Sequence, residues 1–193
     1  ICQSTSDTEV ILHLLSRSKK RRVVERLVDA IRQVEGSYAL VCLTNDMMIA
    51  ARDPIGIRPL VIGKLGVSYV FASETCALDM VGAEFVREID PGEMVVISKG
   101  LIESTRPFGP KKSRFCIFEH VYFARPDSEV FGESVNEVRT QLGHALAQET
   151  GIDADVVVPI PDSGMYAALG FAEESKIPLE FGLVRNHDVG RTF

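Results

Sequence analysis

The pattern of apolar residues changes character partway along this chain, and no single layered fold satisfies both patterns. Before about residue 104, two amphipathic helical stretches precede a series of short, closely spaced apolar runs. After about residue 117, helical stretches alternate with β-branched runs. Residues 104–113 (Ser-Thr-Arg-Pro-Phe-Gly-Pro-Lys-Lys-Ser) carry two prolines and a glycine with no period, and read as a connector. The sequence therefore predicts two architectures, α+β followed by α/β, over residues 1–104 and 117–193 with residues 105–116 joining them.

Within the first part, Ser6 and Glu9 have the spacing of a capping box ahead of Val10-Ile11-Leu12. Residues 22–34 place Val23, Val24, Leu27, Ile31 and Val34 on one helical face, and Gly36 ends it. Runs at 38–43, 47–51, 60–62, 69–72 and 94–97 are divided by turn pairs such as Asn45-Asp46, Asp53-Pro54 and Pro91-Gly92. They predict an antiparallel meander, closed by a return strand at 101–103 after Lys99-Gly100. In the second part, residues 135–149 are helical with Val138, Leu142, Ala145 and Leu146 in register. Residues 155–161 predict a buried strand, 163–175 a helix and 179–184 a second strand. That order implies a parallel pair with a right-handed crossover.

Composition excludes several classes. The chain has 193 residues, 46% apolar and 25% charged, as in ordinary globular proteins. No apolar run approaches the roughly 20 residues that span a bilayer, so no membrane partner is expected. A net charge of −6 argues against nucleic acid. The basic run Lys19-Lys20-Arg21-Arg22 reads as a solvated helix start. Four cysteines (Cys2, Cys42, Cys76, Cys116) lie far apart with no CxxC pair, which fits a reducing cytoplasm and argues against a self-contained zinc site. Cys42 lies in an apolar run and reads as core. Ile1 without a charged leader and the abrupt end at Phe193 read as cuts in a longer protein.

Motifs alone name no reaction. The histidines (His13, His120, His144, His187) fall in no triad spacing, and there is no P-loop or GxGxxG. The most distinctive run is Cys116-Ile117-Phe118-Glu119-His120-Val121-Tyr122-Phe123-Ala124-Arg125-Pro126-Asp127-Ser128, which neither helical nor strand periodicity explains.

That run resembles the interdomain signature of the glutamine phosphoribosylpyrophosphate amidotransferases. Ser6-Asp7-Thr8-Glu9 is similar to the family's SDTE motif, and residues 52–60 resemble its RDPxGIRPL. Residues 72–78 are similar to its ASET-CAL segment. Pro159-Ile160-Pro161-Asp162-Ser163-Gly164 and Val189-Gly190-Arg191-Thr192-Phe193 match its phosphoribosyltransferase half. The 52–60 motif and Ser-Glu-Thr are shared with other glutamine amidotransferases; the cysteine-to-serine signature and the Val-Gly-Arg-Thr-Phe end are not.

The resemblance implies the later part of an N-terminal-nucleophile (αββα) glutaminase domain joined to the start of a type I phosphoribosyltransferase domain. It implies that Asp7 binds the α-amino group of glutamine, since an ammonium needs a fixed anion, although Asp7 also reads as a first-turn carboxylate favoured by the helix dipole. Asp162 and Ser163 would line a phosphoribosylpyrophosphate or nucleotide pocket where a strand runs into a helix, while a plain N-cap is the structural reading. Cys116 matches the first ligand of the four-iron four-sulfur cluster that one branch of the family holds. Arg52, Asp53, Arg58 and Ser73-Glu74-Thr75 read as scaffold. Asp188 departs from the family's aromatic and puts a negative charge near a pyrophosphate.

The parent protein is thus expected to move the glutamine amide nitrogen to phosphoribosylpyrophosphate, giving 5-phosphoribosylamine in the first step of purine synthesis. Mg²⁺, inhibitory purine nucleotides and a homotetramer are implied for that parent. The nucleophile lies outside this chain, which alone is expected to be inactive and to hold no cluster. Two rivals are another class II glutamine amidotransferase and a non-catalytic nucleotide- or partner-binding relative, the latter supported by Asp188.

Overall fold

The computed structural model of the chain describes residues 3–109, 111–186 and 188–190. It divides into two compact units, Ile1–Ser73 with Ala77–Cys116, and Glu74–Cys76 with Ile117–Phe193. In chain order, α1 (Glu9–Arg17) and α2 (Val23–Ile31) precede β1 (Ala39–Leu43), β2 (Met47–Arg52), β3 (Val61–Leu65) and β4 (Ser68–Ala72). Then come α3 (Thr75–Val81), β5 (Glu84–Glu88), β6 (Met94–Ser98) and β7 (Leu101–Thr105).

The strands do not form one meander. They make two antiparallel sheets, ordered β1-β2-β6-β7 and β4-β3-β5. The cause lies in β2, which is apolar on both faces. Ile49 and Ala51 pack with Ile11, Leu27 and Ile31 of α1 and α2, whereas Ala50 packs with Leu60, Ile62, Ile89 and Val95. A strand apolar on both faces needs cover on both, so a second sheet lies against the first. Val61 points the other way and packs with Leu78 and Ala83, which sets α3 on the outer face of the second sheet. The first unit is therefore layered helix, sheet, sheet, helix. The β6–β7 hairpin turns on Lys99 (φ 52) and Gly100 (φ 77), the two left-handed positions such a turn requires. Strand β5 was not expected: its run Glu-Phe-Val-Arg-Glu has both Phe85 and Val86 exposed and shows no alternation.

The second unit carries the signature run. Glu119–Phe123 is π-helical, followed by a hairpin of β8 (Glu129–Val130) and β9 (Glu133–Ser134), then α4 (Val135–Thr150) and α5 (Met165–Ser175). Ser134 caps α4, its hydroxyl accepting from the Glu137 N–H, and Gly151 ends it in the left-handed conformation. Buried Arg139 on α4 donates Nε to the His120 carbonyl at 2.5 Å and Nη2 to the Ala124 carbonyl at 2.8 Å, fastening the π-helical segment. Desolvation pulls the Arg139 pKa down.

Two expectations for this unit are corrected. The buried residues of α4 are Val135, Arg139 and Gly143, not the Leu142 and Leu146 stripe, which is exposed. Glycines decide this: a Cβ at Gly143 would lie 2.0 Å from the Ala167 carbonyl oxygen, and one at Gly170 would lie 2.0 Å from that of Thr140. The two helices touch backbone to backbone. The 155–161 and 179–184 runs are parallel as expected, but pair through a single bridge, Val157 to Leu179. Val156, Val158 and Ile160 are exposed, because among the described residues no further strand pairs with either run.

Candidate functional site

Asp7 stands at the entry to α1. The expected capping box does not form: α1 is capped by Thr8 without a side-chain bond. Instead the Glu9 carboxylate reaches further back and accepts from the Gln3 N–H at 2.6 Å and from the Ser4 N–H and hydroxyl at 2.7 Å. Those bonds favour its charged form and hold the Glu9 pKa down at about 2. With Glu9 closing the loop, Asp7 is left at the surface. Its carboxylate accepts from Thr8 Oγ1 at 3.4 Å and has no other side-chain partner among the described residues. Asp7 lines a cleft of about 490 Å³ together with Thr8, Gln33, Glu35 and Tyr38. An uncommitted carboxylate at the wall of a polar cleft can take a cationic group. The Tyr38 hydroxyl is buried without a hydrogen-bond partner among the described residues, and burial, with the field of Asp53, pushes its pKa up to about 12.

The Arg52-Asp53 turn is scaffold. Asp53 is fully buried and its carboxylate accepts from the N–H groups of Ile55, Gly56 and Ile57 at 2.9, 2.8 and 3.2 Å. Arg52 is 2% exposed and donates to the carbonyls of Arg58, Ile89 and Gly56 at 2.8, 2.6 and 3.1 Å. Gly56 is required there: its φ is +69, and a Cβ would sit 2.5 Å from Pro91 Cγ. The Asp53 carboxylate serves the turn, and Arg52 ties the turn to β5 through Glu88 and to Ile89.

In the second unit, Asp162 and Ser163 lie between the 155–161 run and α5. The peptide bond joining Pro161 to Asp162 is cis. Asp162 accepts from Arg185 Nη1 at 2.9 Å. It lines a cleft of about 360 Å³ with Pro126, Met165, Tyr166, Leu169 and Phe181. Ser163 is exposed and does not cap α5, whose N-cap is Gly164. The Asp162 carboxylate, paired with Arg185, is a polar edge on a mostly apolar cleft, and the Ser163 hydroxyl lies next to it in the chain, outside the lining. Asp188 is exposed, and its N–H donates to Asn186 Oδ1 at 2.9 Å. His187, Arg191, Thr192 and Phe193 lie outside the described residues.

Cys116 closes the first unit, its N–H donating to the Ile57 carbonyl at 3.0 Å. It is a free, half-buried thiol. Among the described residues no three His, Cys, Asp or Glu side chains converge on a common point. One thiolate does not make the four-cysteine set a cluster takes. No helix of the described residues is long and apolar enough to cross a membrane.

Known proteins resemble this chain in sequence and in fold. A family model described as a glutamine amidotransferase domain matches residues 1–80. The amidophosphoribosyltransferase of Rhizobium etli is 53% identical over 198 residues, covering 100% of this chain, and that of Bacillus subtilis is 46% identical over 193 residues with the same coverage. The solved structure of glutamine phosphoribosylpyrophosphate amidotransferase from B. subtilis, complexed with ADP and GMP, superposes with a TM-score of 0.95 at 46% identity over the whole chain. The chain matches amidophosphoribosyltransferases from end to end. It spans 40% of the R. etli and B. subtilis proteins and 42% of the solved chain.

One constellation escaped the reading from amidophosphoribosyltransferase motifs. Glu74 reads as scaffold from the sequence, and its Oε2 accepts from both the Arg125 N–H and the Ser128 hydroxyl at 2.8 Å. Thr75 Oγ1 accepts from the Glu129 N–H at 2.8 Å. The two motifs are more than fifty positions apart, and one sequence holds no signal that pairs them.

Proposed function

We propose that the protein carrying this chain is an amidophosphoribosyltransferase. It hydrolyses the amide of glutamine with an N-terminal cysteine, and the ammonia displaces pyrophosphate from C1 of phosphoribosylpyrophosphate. The products are glutamate, pyrophosphate and 5-phosphoribosylamine, in the first step of purine synthesis. The single observation that supports this most is the TM-score of 0.95 at 46% identity over all of the chain, against a solved phosphoribosylpyrophosphate amidotransferase.

In this reading residues 1–104 are the later part of the N-terminal-nucleophile glutaminase domain, 105–116 the connector and 117–193 the start of the type I phosphoribosyltransferase domain. Asp7 orients the glutamine ammonium. Asp162 and Ser163 face the phosphoribosylpyrophosphate or a purine nucleotide. Mg²⁺ enters on the pyrophosphate, which carries the oxygen ligands this ion prefers. Cys116 supplies one ligand to an iron–sulfur cluster where the whole protein has one. The whole protein works in a reducing cytoplasm as a homotetramer inhibited by purine nucleotides, and this chain alone is inactive.

The test is glutamate release by the full-length protein with and without phosphoribosylpyrophosphate. Strong stimulation is expected. Asp7→Ala should raise the KM for glutamine at least about tenfold, the loss of one charge-assisted bond, and leave ammonia-dependent synthesis intact. Glutaminase activity indifferent to phosphoribosylpyrophosphate would favour another class II amidotransferase. No activity with either substrate would favour the non-catalytic relative.

A further inference from the structure

The cleft that holds Asp162 has Pro126 in its wall. Pro126 belongs to the turn Arg125-Pro126-Asp127-Ser128, closed by the Ser128 N–H donating to the Arg125 carbonyl at 3.0 Å. Little apolar surface fixes this turn. Arg125 and Asp127 are more than half exposed and pair with each other at 2.8 Å. Beyond backbone hydrogen bonds, one remote carboxylate reaches both ends of it. Glu74 Oε2 accepts from the N–H that opens the turn and from the hydroxyl that closes it, both at 2.8 Å. Thr75 Oγ1 then takes the Glu129 N–H at 2.8 Å. Ser128 is 2% exposed, and its hydroxyl meets the Cys76 thiol as well as this carboxylate, which is its charged acceptor. On the far side the Pro126 and Ser128 carbonyls accept from the N–H groups of Asn136 and Val135 at 3.1 and 3.0 Å, tying the turn to α4.

We propose that Glu74 is a positioning residue for the phosphoribosylpyrophosphate site. It touches no substrate. It sets the place of Pro126, and through it the wall facing Asp162. The inference rests on the reading of Asp162 and Ser163 given under Proposed function. An acceptor shared between a backbone N–H and a buried hydroxyl holds a turn in one geometry. Losing it leaves the turn held from the α4 side alone, and a misplacement of about 1 Å is enough to weaken a positioned substrate.

The experiment uses the full-length protein with ammonia as nitrogen donor, which bypasses the glutamine site. Glu74→Ala is expected to raise the KM for phosphoribosylpyrophosphate about tenfold, with the KM for ammonia unchanged. Glu74→Gln keeps an acceptor oxygen and should recover most of the loss, a rescue that a general loss of stability would not give. Ser128→Ala removes one of the two bonds and should give a smaller rise. A folded Glu74→Ala protein with unchanged KM for phosphoribosylpyrophosphate overturns the proposal, as do equal rises in both KM values. Should Glu74→Ala fail to fold, Ser128→Ala decides on the same two readings. A wild-type protein that makes no phosphoribosylamine from ammonia overturns the function itself, and this inference with it.

Discussion

Glu93 is 3% exposed and still ionised, and its neighbours explain why. Burial alone would raise its pKa. The bidentate Arg87 guanidinium at 2.7 and 2.9 Å, the Ser104 hydroxyl at 2.5 Å and the Asp90 N–H at 2.7 Å outweigh that, and hold it below the ordinary 4.5. The sign for stability follows. In the unfolded chain Glu93 takes up its proton near the ordinary value, so the native state binds fewer protons around and below it. The contribution is complete above about pH 4.5 and is lost as pH falls through the lower folded value. Glu93→Gln should therefore lower the melting temperature by an amount that is constant near neutrality and shrinks below about pH 4.5. A difference that stays the same from about pH 6 to about pH 3 would refute the assignment. Nothing in the sequence marked Glu93, because its three partners come from β5, β7 and the turn between β5 and β6.

At the scale of elements, the boundaries were legible and the faces were not. Helices α1, α2, α4 and α5 and six of the strands were expected near their observed places, because period and turn chemistry are local. The split into two sheets was not legible in periodicity, since pairing of β2 with β6 depends on which partner covers which face; it was implied only by the resemblance to an αββα family. The α4 face was misread for a physical reason: apolar periodicity points to Leu142 and Leu146, but close helix approach selects the smallest residue. Glycine in a helix interior costs about 1 kcal/mol against alanine, and at Gly143 the approach to the Ala167 carbonyl supplies the reason. Gly143→Ala should destabilise the second unit by about 1–3 kcal/mol through overpacking, despite the better helix propensity. Leu142→Ala, at a position 44% exposed, should cost much less. Thermal or urea unfolding of the two variants checks this; the reverse order would restore the leucine stripe as the core face.

Over the whole molecule, the two units differ in how much apolar surface they bury. The first contains three clusters of buried residues, built on both faces of the first sheet and the outer face of the second. The second contains one small cluster of Ala124, Val130 and Val135, with Phe131 packed against it. Burying a Val or Leu side chain contributes about 1.5–3 kcal/mol, so cooperative protection should concentrate in the first unit. Its sequence announced this, with consecutive apolar residues in β2 and β6. The second read as a buried βαβ unit, because its valines and isoleucines are of core type, yet Ile160, Phe181 and Val184 are 65, 65 and 84% exposed. Local opening free energy follows buried contacts and not composition. Hydrogen exchange on this chain should therefore show the slowest amides in β2, β3 and β6, intermediate ones in α4 and α5, and near-unprotected ones at 155–161 and 179–184, apart from the N–H groups of Val157 and Glu180, which are bonded across the single bridge. Equal protection of those two runs and β2 would mean that the parallel pair is a formed strand pair, and that the core of the second unit is larger than its buried residues indicate.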